Sequence, residues 1–177
     1  MQSPGISVKP HRDGEVDAIR AGGMRCVVQP VWEKNIMTTR KASARYEGLG
    51  RPGKGHISSQ SGVLDETPYG FGTRFGDEKG TNPEELIAAA HASCFTMALS
   101  FALAGEGFQD GTLETEAAVT LDKDGDSFKV TRSDLTLKAS VPGIDAGKFA
   151  DVAAGAKANC PISKLLNCEI TLTHTLN

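Results

Sequence analysis

The sequence predicts an α+β protein with antiparallel sheet and one long apolar helix at its centre. Residues 80–107 form a nearly unbroken run of small and apolar side chains between helix start and stop signals. Residues 112–121 and 128–141 alternate apolar and polar side chains on either side of an Asp-Gly turn, the pattern of a β-hairpin. The expected elements follow the order β-β-β, long helix, β-β, helix, helix, β, which indicates the α+β class.

The N-terminal region differs in composition from the rest of the chain. Residues 1–36 mix Pro, Gly, Asp and Arg with little periodicity, apart from a short apolar patch at 24–32. We interpret residues 1–36 as an extension that is partly ordered at best, and residues 37–177 as a single domain. Any order in the extension would come from four apolar side chains of the patch: Val27, Val28, Val31 and Trp32. Met37 is a candidate translation start, because the patterned chain begins just after it.

The segment before the long helix is predicted to be β-structure. Two alternating runs, 42–48 and 54–60, flank a turn rich in Gly and Pro, and together they predict a first hairpin. A second turn-rich segment leads to F-G-T-R-F at 71–75, where we expect strand character.

The long helix carries a clear start signal. Thr81 or Asn82 can cap it, and Pro83 suits its first turn. Glu84 and Glu85 then face the positive end of the helix dipole. The predicted helix therefore begins near residue 83.

The body of this helix is apolar on almost every side, and it stops where Gly105 and Gly107 allow positive φ. We therefore expect it to be buried on most faces. We interpret it as a core helix rather than a membrane span, because it is short and is interrupted by His91 and by Ser and Thr.

The chain after the hairpin predicts two more helices and a last strand. Residues 146–158 show helical periodicity, and Pro161 suits the first turn of a short third helix. Residues 168–176 alternate like a half-buried strand. The apolar face of the second helix comprises Phe149, Val152, Ala153 and Ala156.

Composition excludes several classes of function. The chain has 177 residues, 39% of them hydrophobic, and a formal net charge of −3 without a block of Lys or Arg, so nucleic acid and anionic membranes are poor partners. Its four cysteines lack C-x-x-C spacing, which argues against a disulfide framework or a structural zinc site. We found no signal segment, and we expect a cytoplasmic protein with reduced or cycling thiols.

Two of the cysteines are candidates for chemistry. Cys94, in the middle of the long helix, is either a small core residue or a reactive thiol held in an electropositive setting. Cys160 precedes Pro161, and a sulfur at a helix start lies near free N–H groups that lower a thiol pKa; otherwise it is only a polar cap. We interpret Cys168 as core filling and Cys26 as incidental.

Charged residues near the start of the long helix can supply the electropositive environment that a reactive Cys94 thiol needs. Arg74 is either a solvated surface charge or a semi-buried cation that stabilises the thiolate of Cys94. Glu84 or Glu85 can hold the guanidinium in place, or can simply interact with the helix dipole. His91 lies three residues before Cys94, which allows a catalytic pair, a metal site or a packed histidine.

A long ordered motif set resembles the OsmC/Ohr family of thiol-dependent hydroperoxide peroxidases. The motifs are P-Y-G-F-G-T-R-F-G-D-E-K-G-T-N-P-E-E-L-I-A-A-A-H-A-S-C-F-T-M-A-L-S, followed by V-P-G-I-D and N-C-P-I-S. The resemblance covers residues 41–177, excludes the extension and is closest to the OsmC branch, on Y-G-F-x-T-R-F and H-A-x-C-F.

The resemblance implies a fold and an assembly. It implies the OsmC-like fold, in which antiparallel sheets wrap around long central helices in an intertwined homodimer, with two active sites at the subunit interface. By position, Cys94 matches the peroxidatic cysteine and Cys160 the resolving cysteine. Arg74 matches the arginine that activates the thiolate, and Glu84 the carboxylate that orients it.

The same resemblance implies a mechanism in defence against oxidative or osmotic stress. Cys94 would reduce an organic hydroperoxide, and hydrogen peroxide more weakly, to form a sulfenic acid that Cys160 converts to a disulfide. An external dithiol, of lipoyl type by resemblance, would restore both thiols, with no metal, haem or flavin. Helix-end electrostatics alone instead make Cys160 the more activated thiol.

Two other functions stay open on the residues alone. The chain can be a non-enzymatic dimeric module that binds an apolar ligand or partner, with Cys94 and Cys160 as packing residues. It can also bind a metal through His91, Cys94 and Cys160.

Overall fold

The computed structural model describes residues 37–177 in full and, within residues 1–36, only the backbone of three short strands. These strands are β1 (Lys9–Pro10), β2 (Val16–Ile19) and β3 (Arg25–Val27), and they form an antiparallel sheet in that order. The chain divides into two compact units, Met1–Lys41 and Ala42–Asn177. The packing expected of Val28, Val31 and Trp32 lies outside the described residues.

The second unit begins with a three-stranded antiparallel sheet. Its strands are β4 (Ala42–Glu47), β5 (Lys54–Ser59) and β6 (Thr67–Tyr69), in the order β4-β5-β6. The predicted first hairpin is confirmed, with Ala42 opposite Ser59. A Cβ at Gly55 would lie 2.5 Å from the Tyr69 ring, so glycine is what lets this ring lie against β5.

The prediction of strand character at residues 71–75 is wrong, because this segment forms a short helix. This helix, α1, spans Phe71–Phe75, directly after β6. Thr73 Oγ1 accepts a hydrogen bond from Gly70 N–H at 2.9 Å and donates one to Gly70 O at 3.1 Å, which closes the first turn. A local side-chain bond of this kind turns the chain before a ladder can form, and Arg74 therefore lies on a helix.

The long helix, α2, spans Pro83–Gly105, and Asn82 rather than Thr81 caps it by accepting from Glu85 N–H at 2.9 Å. The expectation of burial on most faces is wrong for this single chain. Met97 is 58% exposed and Phe101 71% exposed. One stripe at four-residue spacing is buried: His91, Phe95, Leu99 and Leu103.

By length and composition, α2 is long enough to cross a membrane, which corrects the view that it is too short. It has 23 residues, its most apolar stretch of 18 residues has a mean hydropathy of 1.7, and among the described residues it is the one helix with these properties. Core helices of soluble proteins have the same properties, and α2 contacts strands, α3 and α4 of its own chain.

The main sheet contains the predicted long hairpin, β7 (Thr112–Asp124) and β8 (Ser127–Ser140). The last strand, β9 (Glu169–Leu176), pairs with β8 in parallel, so the prediction of purely antiparallel sheet is wrong for this edge. The reason lies in the connection, because two helices carry the chain back along the sheet before β9 begins.

These two helices are α3 (Ala146–Asn159) and α4 (Pro161–Leu165). Asp145 caps α3 by accepting from two backbone N–H groups, and Cys160 alone separates α3 from α4. The core lies between the helices and the main sheet, and its largest buried apolar members are Phe95, Leu99, Leu135, Leu137 and Phe149.

Candidate active site

The fold brings Cys94 and Cys160 together, although 66 positions separate them in the chain. Cys94 lies in the middle of α2, and Cys160 lies at the junction of α3 and α4. Their Sγ atoms are 2.9 Å apart, and both thiols are free. Cys160 is completely buried, whereas Cys94 is only partly buried.

This separation suits reversible disulfide chemistry. A disulfide bond is about 2.05 Å long, so a sub-ångström approach of the two Sγ atoms would bring them to bonding distance. Cys160 contributes its Sγ from the junction between two helices, where a small backbone adjustment is easier than in the middle of a long one. The pair can therefore alternate between two thiols and one disulfide within this fold.

The two thiols have opposite electrostatic environments. Burial tends to raise the pKa of Cys160, but hydrogen bonds from Cys94, from Ser163 and from the Ile162 backbone outweigh it and lower that pKa. Burial raises the pKa of Cys94, and so does its hydrogen bond with Cys160, while the Ile162 backbone opposes them. The direction of the Cys160 shift agrees with the expectation from helix-end electrostatics, since the backbone N–H groups of Ile162 and Ser163 in α4 contribute to lowering that pKa, although the bond with Cys94 contributes more.

His91 is a packed histidine tied to two serines. It is fully buried, with Nδ1 2.8 Å from Ser133 Oγ of β8 and Nε2 2.9 Å from Ser163 Oγ of α4. Both ring nitrogens are therefore occupied, and burial lowers the pKa of His91. Within the part of the chain that the structure describes, no cluster of three or more His, Cys, Asp or Glu side chains is arranged to hold a metal ion.

Arg74 and Glu84 form a two-pronged ion pair at the start of α2. Arg74 Nε lies 2.9 Å from Glu84 Oε2, and its NH2 group lies 2.5 Å from Oε1. The side chain of Glu84 is 13% exposed and that of Arg74 is 32% exposed, so the carboxylate is largely shielded from water and the guanidinium is only partly so. Glu85 instead accepts a hydrogen bond from Thr81, which decides between the two candidate carboxylates.

The ion pair and the thiols lie at different places along α2. Ten residues separate Glu84 from Cys94 in the helix, or about 15 Å of rise at 1.5 Å per residue. Among the described residues, the ion partner of the Arg74 guanidinium is Glu84, and the guanidinium also lies over the Phe75 ring at 5.3 Å. Within one chain, the structure thus joins the four predicted site residues as two pairs.

An aromatic hollow borders Arg74. Sequence reasoning missed two of its members, Tyr46 and Arg51, because they lie in the hairpin and turn that precede the recognised motif. Arg51 lies over the Phe71 ring at 4.8 Å. The side chains that line the hollow include Tyr46, Arg51, Tyr69, Phe71, Arg74, Phe75 and Pro83.

The two remaining cysteines and three large apolar side chains of α2 lie outside these two pairs. Cys168 is partly buried just before β9, and burial raises its pKa. Phe95 belongs to the core, while Met97 and Phe101 project from the exposed face of α2. Cys26 lies in β3, and its side chain is outside the described part of the chain.

A chain of the α+β class that brings two free thiols into contact at a helix junction is a candidate thiol–disulfide redox protein. Comparison with known proteins agrees. Residues 76–175 match the family model for OsmC-like proteins. The chain therefore belongs to the OsmC family.

Named relatives lie in both branches of the resemblance. The chain is 51% identical over 137 residues to peroxiredoxin OsmC of Escherichia coli (strain K12), which covers 77% of this chain and 96% of that protein. It is 32% identical over 111 residues to the organic hydroperoxide resistance protein OhrB of Bacillus subtilis (strain 168), with 62% and 79% covered.

Solved structures share the fold. The crystal structure of OhrB of Bacillus subtilis has a TM-score of 0.58 and 31% identity, and the match covers 79% of this chain and 98% of that one. An OsmC protein of Legionella pneumophila has a TM-score of 0.59 at 22% identity, over 81% of this chain and 99% of that one, and it shows the fold alone. The predicted α+β class and OsmC/Ohr fold are thereby confirmed.

Proposed function

We propose that this protein is a thiol-dependent peroxidase that reduces organic hydroperoxides, and hydrogen peroxide more weakly, in defence against oxidative or osmotic stress. The observation that supports this best is the 2.9 Å contact between two free thiols in a chain that is 51% identical to a peroxiredoxin over 137 residues. We expect it to act in the cytoplasm, where thiols are kept reduced.

Cys94 is the peroxidatic thiol in this proposal, because it is the more accessible of the pair. Its thiolate attacks the O–O bond of the hydroperoxide, that bond breaks, and the alkoxide leaves and takes a proton to give the alcohol. Cys94 retains one oxygen as a sulfenic acid. The raised pKa of Cys94 in the single chain means that this step needs an additional positive charge.

Arg74 is the proposed source of that charge, with Glu84 as the carboxylate that orients it. The spacing of about 15 Å along α2 between Glu84 and Cys94 favours delivery of the guanidinium from a second subunit. The exposed apolar side chains of α2 support such a subunit, because Met97 and Phe101 would otherwise remain in water. We therefore propose an intertwined homodimer in which Arg74 of one subunit serves Cys94 of the other.

The aromatic hollow borders Arg74, so it would lie next to Cys94 of the other subunit when the guanidinium does. Tyr46, Tyr69 and Phe71 present ring surface there, which suits an alkyl or aryl hydroperoxide better than hydrogen peroxide. This arrangement is the physical basis for the proposed preference for organic substrates.

Cys160 completes the oxidative half of the cycle. Its thiolate attacks the Cys94 sulfur, the S–S bond forms, and the S–O bond breaks to release hydroxide, which takes a proton to become water. An external dithiol, for which we propose a lipoyl-type compound, then reduces the disulfide and is itself oxidised to a disulfide. The cycle uses no metal, haem or flavin.

The proposed function is tested by peroxide consumption with a dithiol reductant. We expect cumene and tert-butyl hydroperoxide to be consumed faster than hydrogen peroxide. The matched control is Cys168→Ser, which lies outside the proposed site and should turn over like wild type. Absence of consumption with an intact fold would contradict the peroxidase and favour a non-enzymatic binding module.

A further inference from the structure

A buried line of hydrogen bonds connects the main sheet to Cys160. Ser133 of β8 and Ser163 of α4 lie on either side of the His91 ring, at 2.8 and 2.9 Å. Ser163 in turn donates hydrogen bonds to Cys160 through its hydroxyl group and its backbone N–H. None of the steps described above uses His91, Ser133 or Ser163.

The number of available protons determines which group donates and which accepts in each of these hydrogen bonds. Ser163 has one hydroxyl proton, and because it is donated to Cys160, the Ser163 oxygen must accept from His91 Nε2–H. A neutral imidazole has one N–H, so Nδ1 must accept from the Ser133 hydroxyl. Burial lowers the pKa of His91, which keeps the ring neutral. Every donor in the line therefore points toward Cys160.

Building on the peroxidase function proposed above, we propose that His91 and Ser163 are positioning residues that hold Cys160 as the leaving thiolate when the Cys94–Cys160 disulfide is reduced. The thiolate of an external dithiol attacks Cys94, the S–S bond breaks, and its electron pair goes to Cys160. The second thiol of the reductant then attacks the mixed disulfide and releases Cys94. The two protons of the dithiol pass to the two cysteines.

The exposure of the two cysteines and the directions of their pKa shifts both favour attack of the reductant on Cys94 with Cys160 as the leaving thiolate. Cys160 is completely buried, whereas Cys94 is partly exposed, so a reductant reaches Cys94 first. The hydrogen bonds to Cys160 lower its pKa, while the pKa of Cys94 is raised. A thiol of lower pKa leaves faster in thiol–disulfide exchange, so attack on Cys94 is favoured on both counts.

The charged side chains near the line are engaged elsewhere. Lys157 of α3 donates to a backbone carbonyl of β9, and Lys164 of α4 donates to a side-chain amide. Arg132 and Asp134, on either side of Ser133, pair with each other at 2.8 Å. The titratable group in contact with Cys160 is Cys94. The acidity of Cys160 is thus governed by hydrogen bonds.

Mass spectrometry can identify which of the two cysteines a thiol reductant attacks. Full-length oxidised protein is treated briefly with 2-mercaptoethanol, quenched with N-ethylmaleimide under denaturing conditions and mapped by peptide mass spectrometry. We expect the mercaptoethanol adduct on Cys94 and the maleimide on Cys160. The opposite distribution would overturn the proposal.

The contribution of the serine is tested by the rate of reduction of the oxidised protein by dithiothreitol. We expect Ser163→Ala to be reduced about three- to fivefold more slowly, because losing one hydrogen bond to the thiolate raises its pKa by about one unit. The matched control is Ser163→Thr, which retains the hydroxyl group and should behave like wild type. The rate of peroxide attack by Cys94 should stay within about twofold in both variants, since only the leaving group changes. Equal reduction rates for Ser163→Ala and wild type would contradict the proposal.

The role of His91 is tested without altering the fold. We expect imidazole ¹⁵N shifts of the reduced wild-type protein to show a neutral His91 with its proton on Nε2. A proton on Nδ1 would reverse the line and overturn the proposal. As a variant test, His91→Gln, which keeps an N–H donor near that position, should retain more of the wild-type reduction rate than His91→Leu.

These results distinguish this inference from the proposed function. If wild type consumes peroxide and forms the disulfide but Ser163→Ala is reduced at the wild-type rate, only the inference fails. If wild type forms no Cys94–Cys160 disulfide with peroxide, the proposed function fails, and the inference fails with it.

Discussion

Cys160 lies at the end of one helix and at the start of the next. It follows Asn159 at the end of α3, and Pro161 opens α4 directly after it. The backbone N–H groups of the first turn of α4 are therefore free to face its sulfur. Cys94, three turns into α2, has no comparable group of free donors from its own helix. At the scale of single residues, acidity favours Cys160 and access favours Cys94.

We expect the two cysteines to fail differently when replaced. Cys94→Ser should consume no peroxide above background, because the accessible nucleophile is gone. Cys160→Ser should consume about one equivalent per subunit and accumulate a sulfenic acid that dimedone traps. Peroxide titration and mass spectrometry of the dimedone adduct measure both outcomes.

Cys168→Ser is the control for that experiment and should behave like wild type. The reverse pattern, with a sulfenic acid in Cys94→Ser and none in Cys160→Ser, would mean that acidity outweighs access. The peroxidatic and resolving roles would then have to be exchanged.

At the scale of elements, α2 is anchored on its buried side and open on the other. Thr96 Oγ1 forms a 2.7 Å hydrogen bond with Thr115 Oγ1 of β7, and His91 bridges to β8 and α4. Phe95 and Leu99 fill the core between these polar anchors. The helix is therefore fixed in rotation, so that Cys94 faces the α3–α4 junction.

The histidine anchor predicts a pH dependence of folding stability. Burial lowers the pKa of His91 below its ordinary value of 6.5, so the unfolded chain binds this proton more readily than the folded one. The contribution of neutral, buried His91 to the free energy of unfolding is fully present above about pH 6.5. It is lost progressively as the pH falls from there through the lowered folded-state pKa. We expect urea unfolding at fixed protein concentration to show wild type losing stability as the pH falls below about 6.5.

His91→Gln is the matched control for this measurement, because glutamine can hydrogen-bond but does not titrate. Other titrating groups are common to both proteins, so the difference between the two pH profiles isolates His91. A difference that stays constant across this range would contradict the prediction.

At the scale of the whole molecule, the single chain leaves two features incomplete. The apolar side chains of Met97 and Phe101 are exposed, and the Arg74–Glu84 pair lies apart from the thiols. One arrangement resolves both features, namely a second copy packed on the open side of α2. The proposed homodimer would therefore complete the proposed catalytic site and also cover these apolar side chains.

We expect Arg74→Ala to slow peroxide reduction at least tenfold without unfolding the protein, because the thiolate loses its cationic partner, a charged interaction that contributes about 1.5–3 kcal/mol. Stopped-flow peroxide kinetics measure this loss. Lys157→Ala, which removes a cation that binds a backbone carbonyl of β9, is a control of similar chemistry.

Mixed dimers test the exchange of Arg74 between subunits. Alone, Arg74→Ala should be at least tenfold slower than wild type and Cys94→Ser should be inactive. If the guanidinium comes from the partner, refolding the two variants together should restore about a quarter of the wild-type sites, since half of the dimers are mixed and each contains one complete site. Light scattering that reports a stable monomer, or mixtures without restored activity, would contradict the intersubunit site.

Local pattern in the sequence was enough for most elements, and the family motif was enough to name the candidate site residues. The hairpin of β7 and β8 follows from alternation around Asp-Gly, and α2 follows from its cap and apolar run, because such signals act over a few residues. The residues matched through the family motif, Cys94 and Cys160, prove to be in contact. Their identities were available because motif positions are read along the chain.

Tertiary structure alone decided what depends on distant partners. It paired β9 with β8 in parallel and tied His91 to Ser133 and Ser163. It also left one side of α2 uncovered, although its composition predicted burial on most faces. Each of these outcomes depends on which surfaces meet across tens of residues, and periodicity within one segment carries no information about its partner.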